Sequence, residues 1–257
     1  MQVASAQSIQ TSSALNWSEV RASSTITLYL PLVAKSTGCP LLITETYGTV
    51  APISTPTDRP AEIHADLNLA MRNYTNTTAY LGLIDDDHPI DSGAPQLPGL
   101  FGDNRTGVFR TAYQVFDWDW QNNRRGARIT DPPVTLAGLL VTSTETVRVP
   151  ASGYDIGKRA TGYEVMVLYA NTNRITLTYT RNDNVVYGYT LHIENICVEP
   201  RLLALYQSMN AAGRTQLPAL YAGQGIGTAI GNELGVAIRD TGSFMDPRWR
   251  KDWWQGR

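Results

Sequence analysis

The stretch from Tyr163 to Asn195, YEVMVLYANTNRITLTYTRNDNVVYGYTLHIEN, decides the fold class. Three runs rich in β-branched and aromatic residues, Tyr163–Ala170, Arg174–Arg181 and Val185–Asn195, are separated by Asn171-Thr-Asn173 and Asn182-Asp-Asn184, which suit short hairpin turns. The same signature continues on both sides. Thr111–Trp120, Val134–Val141 and Thr146–Pro150 precede it, and Gly225–Phe244 follows with Thr241-Gly242 as its turn. The spacing predicts a mainly β protein, an antiparallel sheet of barrel-like or sandwich form. Two short helices are expected within it. Over 60–74, Ile63, Leu67, Ala70, Met71 and Tyr74 recur at helical spacing, behind Asp58 as a cap and Pro60 in the first turn. Over 200–212, Pro200 opens a stripe of Leu202, Leu205, Tyr206 and Met209 that Gly213 stops.

Working outward, residues 1–36 read as a flexible or extended arm, and 37–257 as a single β-rich domain. Pro31 confines the Thr25–Val33 run to an edge strand or to an arm that completes a neighbouring sheet. Thr25–Ala34 (TITLYLPLVA) resembles the segment that follows the leader in many secreted proteins of filamentous bacteria, and Val3–Gln7 is similar to the small-residue end of a secretory signal. These likenesses imply an extracellular or cell-surface address. No run approaches the roughly 18 apolar residues of a membrane-spanning helix. A net charge of -2 supplies no field for gathering nucleic acid, so a nucleic-acid partner is not expected. Cys39 and Cys197 stand alone rather than in C-x-x-C pairs, which excludes zinc-ribbon and thioredoxin-type motifs. They form either one long-range disulfide or two buried thiols, and an oxidising compartment favours the disulfide.

A family resemblance lies in the C-terminal half. Ala222-Gly-Gln-Gly-Ile-Gly227, then Gly231-Asn-Glu-Leu-Gly-Val-Ala-Ile-Arg-Asp240, then Thr241-Gly-Ser-Phe-Met-Asp-Pro247 resembles the end of the lysostaphin-type peptidoglycan endopeptidases. In those enzymes a G-Q-x-I-G turn leads into a His-x-His-Phe-Glu-Val-Arg strand. Tyr189-Thr-Leu-His192 lies where that family carries a catalytic histidine. The likeness spans at most residues 163–247 and implies a β-barrel portion there. The family's zinc needs three protein ligands and an open position for water. Here the His-x-His slots hold Glu233 and Gly235, and glycine has no side chain to ligate. The upstream His-x-x-x-Asp could only be His64 to Asn68, with Asn in place of Asp. The resemblance therefore implies a vacated metal site and a pseudoenzyme. An altered site would draw on His192 and Glu233 as catalytic groups, with His64 and Asp66 as zinc ligands.

Three other constellations carry chemistry. Asp85, Asp86, Asp87 and Asp91 could hold calcium through clustered carboxylates, although the spacing and glycine of an EF-hand loop are missing. Phe116-Asp-Trp-Asp-Trp120 alternates, which puts Trp118 and Trp120 on one strand face, either stacking on sugar rings or sitting in the core. The C-terminal Arg248–Arg257 is aromatic and basic, suited to covering the end of the sheet or docking a partner. The expectation is an exported, non-catalytic binding or structural protein of the cell envelope without a cofactor. Its partner would be envelope polysaccharide, peptidoglycan or another copy of itself. The alternatives are a zinc-dependent peptidoglycan hydrolase with an altered site, and a subunit of an extracellular assembly joined by its N-terminal strand.

Overall fold

The computed structural model describes residues 39–85, 87–154, 156 and 162–256. The expected N-terminal arm and Asp86 of the acidic run lie outside the described residues. The strands and helices follow in chain order. They are β1 (Gly48–Val50), α1 (Leu69–Arg72), β2 (Tyr74–Thr77), β3 (Phe109–Asp119), β4 (Arg124–Arg128), β5 (Leu136–Leu140) and β6 (Thr146–Arg148). Then come β7 (Val165–Ala170), β8 (Arg174–Thr178), β9 (Tyr189–Glu194), β10 (Ile196–Val198), α2 (Pro200–Ala211) and β11 (Leu217–Leu220). The chain ends with β12 (Gly225–Ala229), β13 (Glu233–Asp240), β14 (Ser243–Met245) and α3 (Arg250–Trp253).

The protein is mainly β and antiparallel, as the hairpin pattern predicts. One eleven-stranded sheet runs β1-β11-β7-β8-β9-β13-β5-β3-β2, with β14 on β13 and β4 on β3. A second sheet runs β10-β12-β6. The large sheet starts at β1 and ends at β2 without joining them, so it is open rather than closed. Among the described residues no helix is long and apolar enough to cross a membrane.

Alternation sorts the side chains of this sheet into two faces. Ile175, Leu177, Leu191, Ile193, Leu234, Val236, Ile238, Ala137 and Leu139 point into the main core. Burying each of the Ile, Leu and Val side chains contributes roughly 1.5–3 kcal/mol. The opposite face is polar, and register sets its rows. Arg174, Glu194, Gly235, Gly138 and Thr111 stand side by side across β8, β9, β13, β5 and β3. Thr176, His192 and Ala237 form the next row, then Thr178, Thr190 and Arg239. Part of this face is covered, with Leu69, Val115, Leu136, Ala237 and Phe244 forming a second, smaller core.

The cover is where the expected helix over 60–74 fails. Ala61–Ile63 is a single 3-10 turn, His64 is extended, and only Leu69–Arg72 is α-helical. Two side chains break the helix. Asn68 takes an extended backbone, accepts the N–H of Ala70 and donates to the carbonyl of Glu62 at 2.6 Å. Asp66 is drawn onto two arginines, Arg72 of α1 and Arg239 of the sheet. Leu67 and Leu69 are buried while Ile63 is 51% exposed, so burial follows the contact with the sheet rather than a helical stripe.

The second helix forms as expected. Glu199 caps it by accepting from the N–H groups of Arg201 and Leu202, and Gly213 leaves it with a φ of 85°. The Asn171 turn also holds, since its Oδ1 accepts from the N–H groups of Asn173 and Arg174. Thr241 and Gly242 both have positive φ, which a two-residue hairpin turn requires. Asn182–Asn184 is not such a turn. β8 and β9 are joined by a longer loop, pinned by the buried ion pair of Asp183 with Arg214 at 2.5 Å. Cys39 and Cys197 are joined in a disulfide. Trp253 and Trp254 are buried, with their indole N–H groups on the carbonyls of Asp246 and Pro247, so the aromatic C-terminus covers rather than projects.

Candidate functional site

The polar face of the large sheet gathers three of the sequence-predicted residues, Asp66, His192 and Glu233. At its centre is Asp66, expected as a metal ligand. Its Oδ1 accepts from Arg72 and from Arg239, both at 2.7 Å. Burial would raise its pKa, but the two guanidiniums outweigh that and hold the carboxyl at about 2. Both arginines also lie over the ring of Phe244, and Arg72 reaches Asp117 at 3.2 Å. The carboxylate is thus engaged by two cations already.

His192 sits beside this cluster on β9, 1% exposed. Thr176 donates its hydroxyl to the carbonyl of Leu67 at 2.7 Å, so the 3.0 Å contact between Thr176 and His192 is donated by the imidazole Nδ1. That leaves Nε2 as the acceptor, and it is buried without a partner among the described residues. Burial, aided by Arg239, pushes this imidazole down to about 3. His192 is therefore a neutral ring sealed between sheet and cover.

One row along, Glu194 accepts from Arg174 Nε at 3.1 Å, and Arg174 also reaches Asn68 Oδ1 at 3.4 Å. Burial pushes the Glu194 carboxyl up to about 7, against the opposing effects of Arg174 and the Tyr74 hydroxyl. Gly235 is its cross-strand partner. Gly235 and Gly138 adjoin in the same row, and the space that their side chains would take is used. Glu194 Cβ lies 3.0 Å from where a Gly235 Cβ would stand, and Glu233 Cδ lies 2.5 Å from where a Gly138 Cβ would stand. Glu233 accepts the hydroxyl of Tyr113 at 2.7 Å, and Tyr113 meets Tyr74 edge to face. Glu194 and Glu233 are diagonal neighbours on adjacent strands, a relation that places such residues about 7–8 Å apart. The arrangement has the parts of an acid–base pair: a carboxyl holding its proton near neutrality, with half-buried Glu233 diagonal to it.

The other candidates lie apart from this pair. His64 accepts the Asp66 N–H on Nδ1 at 3.2 Å, stands 3.7 Å from Asp58, and has its pKa lowered by burial. Its ring meets Trp120 at 5.4 Å. Trp118 is buried and Trp120 is 41% exposed, with Arg59 stacked 5.0 Å from its centroid. In the acidic run, Asp85 faces Arg250 at 3.7 Å and Asp87 is exposed. Asp91 accepts the hydroxyls of both Tyr154 and Tyr189. Among the described residues no three His, Cys, Asp or Glu side chains are grouped as a metal would need.

Two of these buried groups act on stability in opposite senses. His192 is neutral in the fold down to about pH 3, whereas the unfolded imidazole takes a proton below about 6.5. Stability linked to it is lost as pH falls through that window. Glu194 stays protonated up to about 7 in the fold but ionises above 4.5 when unfolded, so its contribution is lost as pH rises. Each acts with a slope of up to about 1.4 kcal/mol per pH unit. Between pH 7 and 5, the melting temperature of Glu194→Gln is expected to fall and that of His192→Leu to rise, relative to wild type. Parallel curves for the three proteins would refute the assignment.

Glu194, Arg174, Tyr113 and Arg239 are not legible as site residues from their own neighbourhoods. The available signal is in the strand pairing: polar residues at every second position in β8 and β9, facing Glu233 and Arg239 at the two ends of β13. No family model matches this chain, and no curated protein or solved structure does either.

Proposed function

We propose that this chain is an exported, non-catalytic binding or structural protein of the bacterial cell envelope, with a peptidase-like sheet used as a scaffold. The observation that carries the reading is Arg174. In the row where the resemblance puts a vacated metal ligand at Gly235, a guanidinium built into the chain bridges Asn68 and Glu194. A fixed organic cation beside Glu194 cannot activate water as a bound metal does. The engagement of Asp66 by Arg72 and Arg239 supports the same reading. Export is supported by the Cys39–Cys197 disulfide and by the TITLYLPLVA likeness. Envelope glycan or peptidoglycan is the partner that this address supplies.

Glu194 favours a second reading, a metal-free hydrolase that uses it as proton donor with Glu233 as base. One experiment separates the two. Purified protein is assayed for bound zinc, for sedimentation with isolated peptidoglycan sacculi, and for clearing of a sacculus suspension. Sedimentation without zinc and without clearing is expected. Stoichiometric zinc, or clearing that disappears in His192→Ala or Glu194→Gln, overturns the non-catalytic reading.

A further inference from the structure

An open cavity of about 620 Å3 lies where β5 runs out into the Thr142–Glu145 loop, lined by Val108, Leu140, Asp103, Arg105 and that loop. The volume is in the roughly 300–1,000 Å3 range of small-molecule sites. Its floor is apolar and wet: Val108 is 58% exposed and Leu140 is 40% exposed, and Leu140 donates its N–H to the Val108 carbonyl at 2.7 Å. Its rim is polar and fixed. Arg105 is held by Asp103 at 2.9 Å and Glu145 at 2.6 Å, and lies 4.0 Å from the centroid of the Phe101 ring. Glu145 in turn accepts the Thr142 N–H, which sets the loop. Leu140 is the cross-strand partner of Glu233, so the cavity floor adjoins the Glu233–Tyr113 pair.

We propose that this cavity is the subsite for the glycan, and that it takes an uncharged, N-acetylated sugar; this rests on the envelope-binding reading above. The apolar floor suits the C–H face and acetyl methyl of such a sugar, while the hydroxyls and carboxylates of the rim suit its hydroxyls and amide. Charge selects among glycans. Asp103 and Glu145 against Arg105 alone leave an excess of negative charge, which disfavours anionic polysaccharides and phosphate-bearing polymers. Arg105 is held before binding, so little ordering of it is needed when the sugar arrives.

The test uses the N-acetylglucosamine tetramer as probe, with alginate as the anionic control, in calorimetric titrations of the full chain. Leu140→Trp and Ser143→Trp both fill the cavity, and Ser143 is an exposed loop position where the fold tolerates the change. Expected is binding of the tetramer by wild type, at least tenfold weaker binding by either variant at unchanged melting temperature, and no measurable binding of alginate. Equal affinity in wild type and variants, alginate bound as tightly as the tetramer, or no tetramer binding by wild type overturns the subsite. Sedimentation with sacculi is followed in parallel. Wild type that sediments while the tetramer result fails leaves the envelope reading standing and removes only this site; wild type that does not sediment removes both.

Discussion

Asp66→Ala is expected to lower the unfolding free energy by about 3–5 kcal/mol, the cost of breaking a buried ion pair by removing one partner. Arg72 and Arg239 are 3% and 5% exposed, and Asp66 is the carboxylate that both share. Without it two guanidiniums stand buried beside the Phe244 ring, and among the described residues Arg239 keeps only the Gly242 carbonyl as an acceptor. Arg72 retains Asp117, whose side chain is 68% exposed and therefore well screened. For a domain of this size each kcal/mol is worth roughly 2–4 °C, so the melting temperature should drop by roughly 6–20 °C. Asp66→Asn keeps the shape and one acceptor and should fall between. The pH dependence has a definite sign. Because the folded carboxyl titrates at about 2, below its ordinary 3.8, the stability it contributes is present above 3.8 and is lost as pH falls towards 2. A drop of under 1 kcal/mol in Asp66→Ala at neutral pH would show that the three charges do not hold the cover on the sheet.

That cover explains what the sequence did and did not reveal. Strands β3, β5, β7, β8, β9 and β13 are legible because their β-branched runs end at turn residues, and the Thr241-Gly242 turn because it needs positive φ at both positions. β4 is not, because Arg124-Arg-Gly-Ala-Arg128 is exposed at all five positions and has no apolar alternation. β11 contains Pro218, which argues against a strand inside a sheet, yet it pairs on both sides. The helix over 60–74 is a wrong period reading. Ile63, Leu67, Ala70, Met71 and Tyr74 fit a helix on paper, but the Asn68 and Asp66 side chains bond the Glu62 carbonyl, Arg72 and, on β13, Arg239 instead. The same effect hid Glu194. Thr190, His192 and Glu194 alternate with Leu191 and Ile193 as on a half-solvated strand, but all six residues of β9 are buried. A polar residue that reads as solvent-facing becomes a perturbed buried acid once another segment lies over it. Only long-range pairing supplies that knowledge.

The disulfide carries the other large expected effect. Cys39 and Cys197 are 158 residues apart, and closing a loop of that length removes chain entropy worth about 5 kcal/mol from the unfolded state. Reduction, or the double variant Cys39→Ser with Cys197→Ser, should therefore lower the melting temperature by roughly 10–20 °C. Both half-cystines are only partly buried, so a phosphine reductant can reach the bond without prior unfolding. The competing outcome is local. The bond ties residues 39–47 to β10, and that segment is also held through Tyr47 on the Gly225 carbonyl at 2.9 Å, Gln224 on the Thr46 carbonyl at 2.7 Å, and the Gly225 N–H on Glu45 at 3.0 Å. If those contacts let go on reduction, β1 leaves the edge of the large sheet and the loop-closure argument no longer measures global stability. Limited proteolysis alongside the melting curve distinguishes the two. A shift below about 3 °C with new cleavage between residues 39 and 50 would refute the global effect. A large shift without early cleavage would establish it. Domains of this kind are stable by only about 5–15 kcal/mol, so a loss of that size would leave the chain marginal wherever its cysteines stay reduced. The same measurement therefore weighs on the proposed export.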